Sequence, residues 1–257
     1  MRARVLVAED DRMSRLLMTE QLRLLGFDAE FAMNGLEALA RWRDGGVAIV
    51  FTDLQMPEMD GYALTQAIRR EETAGIRTTV IALSASAPDE GSKRWKEAGM
   101  DGHLTKPVEM ATLKATLERW SGCAEPAEAA DPAAAADARQ ADAAPVDLQV
   151  LAGMIGHDPA TLASFLADFE RTAVEGAAAI ERELGLGDLR RAGTIAHQLK
   201  ASARAVGSFR LGRQCAAIEE AAAQADGPAL AASWKLFRDE LALVQLWICE
   251  YAASDAR

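Results

Sequence analysis

The stretch VAIVFTDLQMPEMDG, residues 47–61, decides how the first half of this chain folds. It opens with apolar and β-branched residues, which are typical of a strand buried on both faces of a parallel sheet. Asp53 follows this run, and Pro57 and Gly61 mark a loop beyond it. The stretch therefore predicts a buried strand with a carboxylate at its carboxyl end, where open α/β sheets place their chemistry.

Short β-branched runs alternate with helix-length amphipathic segments on both sides of this stretch. The alternation predicts a doubly wound α/β fold with a five-stranded parallel sheet and helices on both faces. The predicted strands are 4–8, 28–31, 48–52, 79–83 and 103–105, and the predicted helices are 13–25, 35–42, 61–70, 88–98 and 108–120.

The composition changes after residue 120. Residues 121–145 are mostly Ala, Pro, Asp and Glu, which predicts a linker. Beyond it the strand signals stop, and amphipathic segments separated by Gly and by X-Pro pairs predict an all-α antiparallel helix bundle. Its predicted helices are 147–155, 159–184, 188–206, 208–225 and 228–251. The sequence thus predicts three parts, 1–120, 121–145 and 146–257.

Length and charge limit the classes of function. The 257 residues suffice for two domains, and the formal net charge of −11 disfavours nucleic-acid binding, which needs a basic face. Cys123, Cys215 and Cys249 lie far apart, so we expect neither a disulfide framework nor a zinc site. With no apolar run of membrane-spanning length, we expect no direct membrane insertion. The expected location is the cytoplasm, either as a free protein or as the cytosolic tail of a longer membrane protein.

Polar side chains cluster at the predicted carboxyl ends of the strands. Glu9 and Asp10 follow the first strand, Asp53 the third, Ser84 the fourth and Lys106 the fifth. Because these ends meet at one edge of a parallel sheet, we expect an oxygen-rich site for a hard divalent ion, Mg²⁺ or Mn²⁺. Such an ion offsets the repulsion between a carboxylate and an incoming phosphoryl group, and a lysine and a hydroxyl can take the other phosphoryl oxygens.

Four segments in order, VLVAEDD at 5–11, FTDLQMPEMDG at 51–61, VIALSAS at 80–86 and HLTKP at 103–107, resemble the response-regulator receiver domain. The resemblance covers roughly residues 1–120 and implies a flavodoxin-like fold. It also implies a cis peptide bond before Pro107.

The same resemblance implies roles for individual residues. Asp53 would form an acyl phosphate, and Ser84 and Lys106 would respond to it. Glu9, Asp10, Asp53 and the backbone carbonyl of Gln55 would bind Mg²⁺. Two positions depart from the family pattern: Glu9 stands where Asp is more frequent, and His103 stands where the family has an aromatic switch residue.

A second candidate nucleophile lies in the predicted helix 188–206. Helical spacing places Thr194, His197, Ala201 and Arg204 on one face, with Lys200 one step round. We therefore expect His197 to be exposed beside positive charges. A neutral imidazole nitrogen can attack an aspartyl phosphate, and neighbouring cations favour the phosphorylated product.

AHQLKASARAVG at 196–207, followed by the acidic QCAAIEEAA at 214–222, resembles the histidine phosphotransfer (HPt) domain. The resemblance covers roughly residues 146–257. It implies that His197 carries a phosphoryl group, that Lys200 assists electrostatically and that Gly207 ends the helix. Ala201 stands where the family usually has Gly, which narrows access to the imidazole.

Together the two sites predict a two-component phosphorelay protein whose partners are histidine kinases and receiver domains of other signalling proteins. Contact between the receiver and HPt parts of the chain is also expected, and the direction of transfer stays open. The resemblance implies self-phosphorylation and autodephosphorylation of the receiver, but the sequence contains no Gly-rich nucleotide lid typical of a complete kinase. The alternative is a phosphorylation-gated binding module whose helical part docks partners without transfer.

Overall fold

The computed structural model describes residues 4–73, 77–84, 94–120 and 144–255 of the chain. The chain divides into two compact units, Met1–Pro132 and Ala133–Arg257. Most of the linker predicted for 121–145 lies outside the described residues. The three-part division of the chain therefore stays a prediction.

The first unit is built on a five-stranded parallel sheet with the order β2-β1-β3-β4-β5. This confirms the predicted doubly wound class. The strands are β1 Arg4–Ala8, β2 Ala29–Ala32, β3 Val47–Asp53, β4 Thr79–Ser84 and β5 Gly102–Thr105. Since β1 and β3 are hydrogen-bonded neighbours, the residues that follow or end them meet at the same edge.

Five helices of this unit are described: α1 Arg12–Leu24, α2 Gly35–Arg43, α3 Gly61–Glu71, α4 Arg94–Glu97 and α5 Met110–Trp120. The first three begin at side-chain caps, because Asp11, Asn34 and Asp60 accept hydrogen bonds from backbone N–H groups in the first turn. Part of the helix predicted for 88–98 lies outside the described residues.

Alternate residues of the central strands pack into two hydrophobic cores, one on each face of the sheet. Val5, Val7 and Phe51 belong to one core, and Leu6 and Val50 belong to the other. Side chains of a strand point alternately to opposite faces, so continuous apolar runs are what a doubly covered sheet requires. The buried sheet holds the strand ends, and hence the polar residues beyond them, in fixed positions.

The described residues of the second unit, 144–255, contain helices and no strands, as predicted. Its helices are α6 Leu148–Ile155, α7 Pro159–Leu186, α8 Leu189–Ala205, α9 Phe209–Ala223 and α10 Gly227–Asp255. Contacts between α7 and α10 join Glu170 to Gln245 and Glu181 to Arg238, so residue numbers rise along one helix as they fall along the other. Short connections join successive helices of this antiparallel bundle.

Gly207 ends α8 in the way the HPt resemblance implies. Its φ is +76°, a left-handed conformation that favours glycine. A Cβ built there would lie 2.2 Å from the carbonyl oxygen of Asp147, so a side chain is excluded by space as well as by φ. This close approach fixes the α8–α9 turn against the start of α6.

Within the parts of the chain that the structure describes, no helix combines the length and the apolar character that crossing a membrane requires.

Candidate functional site

Three carboxylates meet at the carboxyl edge of the sheet. Glu9 and Asp10 directly follow β1, and Asp53 is the last residue of β3. One carboxylate oxygen from each lies within 4.8 Å of the others. The register explains this, because Ala8 pairs with Thr52 and places the next residue of each strand at the same level. The sequence predicted this convergence from strand ends alone.

Lys106 joins the carboxylates from the far side of the sheet. Its ammonium forms ion pairs with both Glu9 and Asp53, and its side chain is 9% exposed. The residue follows β5, and its backbone N–H donates to the carbonyl of Ser84 at the end of β4, 2.7 Å away. The peptide bond between Lys106 and Pro107 is cis, as the receiver resemblance implies.

Burial sets the protonation of this cluster. Glu9 is 0% exposed, and burial raises its pKa to about 8; Lys106 opposes the rise, while Asp53 adds to it. Burial alone would lower the pKa of Lys106, but Glu9 and Asp53 outweigh it and raise that pKa. The ammonium therefore stays charged between two carboxyl groups, one of which is costly to ionise.

The donor set fits a hard divalent cation. With Lys106 counted, three ionised carboxylates and one ammonium leave two negative charges, which a divalent ion would balance. A cation beside a buried carboxyl also favours its ionised form. Gln55 lies against this site, because its backbone N–H donates to Asp53 Oδ1 at 2.8 Å. Its carbonyl as a ligand stays a prediction.

Two residues that were not predicted from the sequence support the acidic edge. The Arg15 guanidinium donates to the carbonyls of Glu9 and Asp10 at 2.8 and 2.7 Å, which holds their backbone in place. Gly61 packs against the end of β3, because a Cβ built on it would lie 2.2 Å from the Asp53 carbonyl oxygen. Only the absence of a side chain at Gly61 allows α3 to start so close to Asp53.

His103, in the position of the family's aromatic switch residue, points outward. It is exposed and packs on Trp95, with ring centroids 5.2 Å apart. Ser84 is half-buried at the end of β4, on the edge that carries Asp53. Both residues are placed as the order of motifs predicted, and their response to phosphorylation stays a prediction.

The second candidate site lies between α8 and α9. His197 Nδ1 lies 2.7 Å from Glu219 Oε1, and Lys200 Nζ donates to Glu219 Oε2 at 2.5 Å. One carboxylate thus holds both α8 side chains. His197, which the helical spacing predicted to be exposed, is 31% exposed, because this contact with α9 covers part of its ring. Lys200 is more buried, at 14%.

The protonation of Glu219 determines which imidazole nitrogen is available. Burial pushes the pKa of Glu219 upward, but hydrogen bonds and charge from Lys200 and His197 outweigh it and lower that pKa. An ionised carboxylate is an acceptor only, so His197 Nδ1 must carry the proton of this hydrogen bond. In the neutral ring, Nε2 then holds the lone pair that can act as a nucleophile.

Sequence reasoning did not identify Glu219 as part of the site. It recognised the acidic segment 214–222, but Glu219 and Glu220 are adjacent there, and their sequence does not say which one faces α8. The packing decides: Glu219 contacts His197, whereas Glu220 is exposed and pairs with Gln224 of its own helix. Ala201 and Arg204 are half-buried on α8 beyond Lys200.

Comparison with family models gives two matches. Residues 5–118 match the response regulator receiver domain, and residues 164–247 match the Hpt domain. The two matched segments lie one in each compact unit.

Curated relatives include bacterial sensor proteins. The chain is 30% identical over 231 residues to the virulence sensor protein BvgS of Bordetella pertussis, which covers 88% of this chain and 19% of that protein. It is 40% identical over 117 residues to the sensor histidine kinase RcsC of Escherichia coli, covering 46% of this chain and 12% of that protein. The chain therefore spans less than one fifth of the length of these relatives.

Solved structures similar to part of the chain include a receiver domain of the sensor histidine kinase PA1611 from Pseudomonas aeruginosa, with magnesium in its active-site cleft. It has 30% identity and a TM-score of 0.44, and the match covers 48% of this chain and 99% of that one. Another is a complex of the Saccharomyces cerevisiae phosphotransfer protein Ypd1 with the receiver domain of Ssk1. That match has 26% identity and a TM-score of 0.43, covering 46% of this chain and 88% of that one.

Proposed function

Because residues 5–118 form a response-regulator receiver domain and residues 164–247 form an Hpt domain, we propose that this chain passes phosphoryl groups between Asp53 and histidine residues, including its own His197. The observation that carries the proposal is the position of Asp53, which shares a buried lysine with Glu9 inside a three-carboxylate cluster. The alternative, a binding module without transfer, gains no support from the comparisons.

At the first site, an Asp53 carboxylate oxygen attacks the phosphorus of a phosphohistidine or a small acyl phosphate. The new P–O bond forms as the bond from phosphorus to the donor nitrogen or oxygen breaks, and the donor leaves with the electron pair. Lys106 already contacts Asp53, so it can hold one phosphoryl oxygen without reorganisation. Glu9, Asp10 and Asp53 would hold Mg²⁺, which supplies positive charge for the phosphoryl oxygens.

At the second site, His197 Nε2 attacks the aspartyl phosphate and the Asp53 carboxylate leaves. Glu219 holds the Nδ1 proton, so the ring presents its lone pair at Nε2 and gains stabilisation as positive charge develops on it. Lys200, held by the same carboxylate, places a cation beside the incoming phosphoryl group. The reverse reaction uses the same contacts.

The proposal is tested by loading the full chain with a small acyl phosphate in the presence of Mg²⁺. We expect label in two chemically distinct forms, a base-labile acyl phosphate and an acid-labile phosphohistidine. A chelator should reduce both at least about tenfold, because the carboxylate cluster then repels the donor. Replacing Mg²⁺ with Mn²⁺ tests whether the same site accepts either ion. Label that forms equally well in the presence of chelator contradicts the proposed metal site.

The partners follow from the same chemistry. A histidine kinase would supply the phosphoryl group of Asp53, and a receiver domain, in this chain or another, would exchange it with His197. The chain spans less than one fifth of these sensor proteins, so we propose that it acts in the cytoplasm either as a free protein or as the C-terminal part of a hybrid sensor kinase.

Replacing Glu219 with Gln is expected to slow formation of the acid-labile label by about ten- to a hundredfold, the equivalent of one charge-assisted hydrogen bond. The folded-state pKa of Glu219 is lowered, so its ionised form stabilises the bundle at neutral pH. That stability is present above the ordinary glutamate pKa and is lost as pH falls through the lowered pKa, so variant and wild type should converge in thermal stability as the solution is made more acidic. Glu220→Gln is the matched control, and equal effects of the two changes would contradict the role of Glu219.

A further inference from the structure

A close contact between α8 and α9 lies one turn from the His197 cluster. Gly193 is buried on α8, four residues before His197. A Cβ built on Gly193 would lie 2.9 Å from the Cβ of Ala222 on α9. The next atoms, the carbonyl oxygen and Cα of Glu219, lie at 3.8 and 3.9 Å, which is ordinary contact. One methyl group therefore decides whether the helices can approach this closely.

The contact cannot be relieved by a rotamer change. Ala222 Cβ is bonded directly to the backbone, so it moves only if α9 moves. Carbon atoms in favourable contact are about 3.5–4.0 Å apart, so a methyl at Gly193 would separate the helices locally by roughly 0.6–1 Å. Gly176 on α7 differs, because the atoms nearest to a Cβ built there belong to the flexible Leu199 side chain.

The antiparallel register carries this separation to the phosphoryl-transfer site. Along α8 the chain runs from Gly193 to His197, and along α9 it runs back from Ala222 to Glu219. The Gly193–Ala222 contact and the His197–Glu219 contact therefore lie one helical turn apart along the same α8–α9 interface. Hydrogen bonds weaken beyond about 3.2 Å, so a shift of this size acts on both bonds of Glu219, which measure 2.7 and 2.5 Å.

We propose that Gly193 is a positioning residue for phosphoryl transfer: by letting α9 approach α8, it holds Glu219 where the carboxylate fixes the Nδ1–H tautomer of His197. This inference rests on the proposed function, since it concerns the nitrogen that accepts the phosphoryl group. The atoms nearest to a Cβ at Gly193 belong to Ala222 and Glu219, so Gly193 acts through these two residues of α9.

The test moves one methyl group across the interface in the full chain. Gly193→Ala adds it to α8, and the double change Gly193→Ala with Ala222→Gly restores the space, since the remaining neighbours are at ordinary contact distance. Gly185→Ala on α7 is the matched control, because a Cβ there meets nothing within 4 Å. The readouts are the His197 tautomer from ¹⁵N NMR of the imidazole and the rate at which the acid-labile label forms.

We expect Gly193→Ala to shift the ring toward the Nε2–H tautomer and to slow label formation about tenfold, the equivalent of one weakened charge-assisted bond. The double variant should recover the wild-type tautomer and most of the rate, although a new helix glycine lowers its thermal stability. Gly185→Ala should change neither readout.

A wild-type tautomer in Gly193→Ala overturns the inference, and so does a double variant as impaired as the single one. The tautomer needs no phosphoryl transfer to be measured. If the wild-type chain forms no acid-labile label, the proposed function fails while the tautomer comparison still decides the role of Gly193.

Discussion

The Asp53→Asn variant is expected to lose both forms of phosphoryl label, whereas His197→Gln loses only the acid-labile form. The asymmetry follows from the two sites. Asp53 lies among the carboxylates and the lysine that we propose bind a cation and a phosphoryl group, while His197 has Glu219 and Lys200 but no such cluster around it among the described residues. A small acyl phosphate should therefore load Asp53 first, and His197 should receive the group from Asp53. Each loss should reach at least about a hundredfold, because the nucleophile itself is removed.

Matched controls separate this loss from general damage. Asp28→Asn and His157→Gln make the same chemical changes at exposed positions and should leave both labels intact. Acid-labile label that persists in Asp53→Asn would show that His197 is loaded directly. Acid-labile label that persists in His197→Gln would remove His197 as the carrier and return the helical domain to the role of a docking module.

The order of strands and helices could be predicted because both signals are local. Apolar runs of strand length, together with Asp-rich strand ends, gave β1 with its observed bounds and β3 to within one residue at each end. The carboxylate edge followed, since parallel strands bring their carboxyl ends together whatever the details of packing. The contact of Lys106 with Glu9, across the ends of β4 and β3, could be expected only from the receiver resemblance, because nothing local to HLTKP fixes a side-chain direction.

The His197 site shows where sequence reasoning stops. Helical spacing correctly put His197 and the buried Ala196 and Leu199 on different sides of α8. It could not find Glu219, because the rotation and the separation of α9 against α8 depend on contacts between the helices. Gly193 is one such contact, and a lone glycine inside a helix gives no sequence signal of what it faces.

In the absence of divalent cations, Glu9→Gln is expected to stabilise the receiver domain by roughly 3 kcal/mol at neutral pH. Burial raises the pKa of Glu9 to about 8, so the folded protein holds a proton there that the unfolded chain releases at its ordinary carboxyl pKa. A carboxyl group with a raised pKa lowers the stability of the fold once the pH exceeds its pKa in the unfolded chain. The cost grows with pH until the pH reaches the pKa in the folded protein. The advantage of Glu9→Gln should therefore be small near pH 4 and largest near pH 8, with Lys106 still paired to Asp53.

Mg²⁺ should remove this advantage. A bound cation stabilises the ionised Glu9 of the wild type, whereas the variant offers the cation one charged ligand fewer and is stabilised less. The measurement is amide hydrogen exchange of β3 and β4 in the full chain, which reports the receiver sheet separately from the helical bundle. Glu97→Gln, at an exposed position of α4, is the control and should change stability by no more than about 0.5 kcal/mol. An advantage that is the same at pH 4 and pH 8 would mean that ionisation of Glu9 does not destabilise the fold, and an advantage unchanged by Mg²⁺ would mean that Glu9 is not a cation ligand. The predicted pattern instead indicates a site in which a buried carboxyl group lowers the stability of the cation-free fold and becomes a carboxylate ligand when a cation binds.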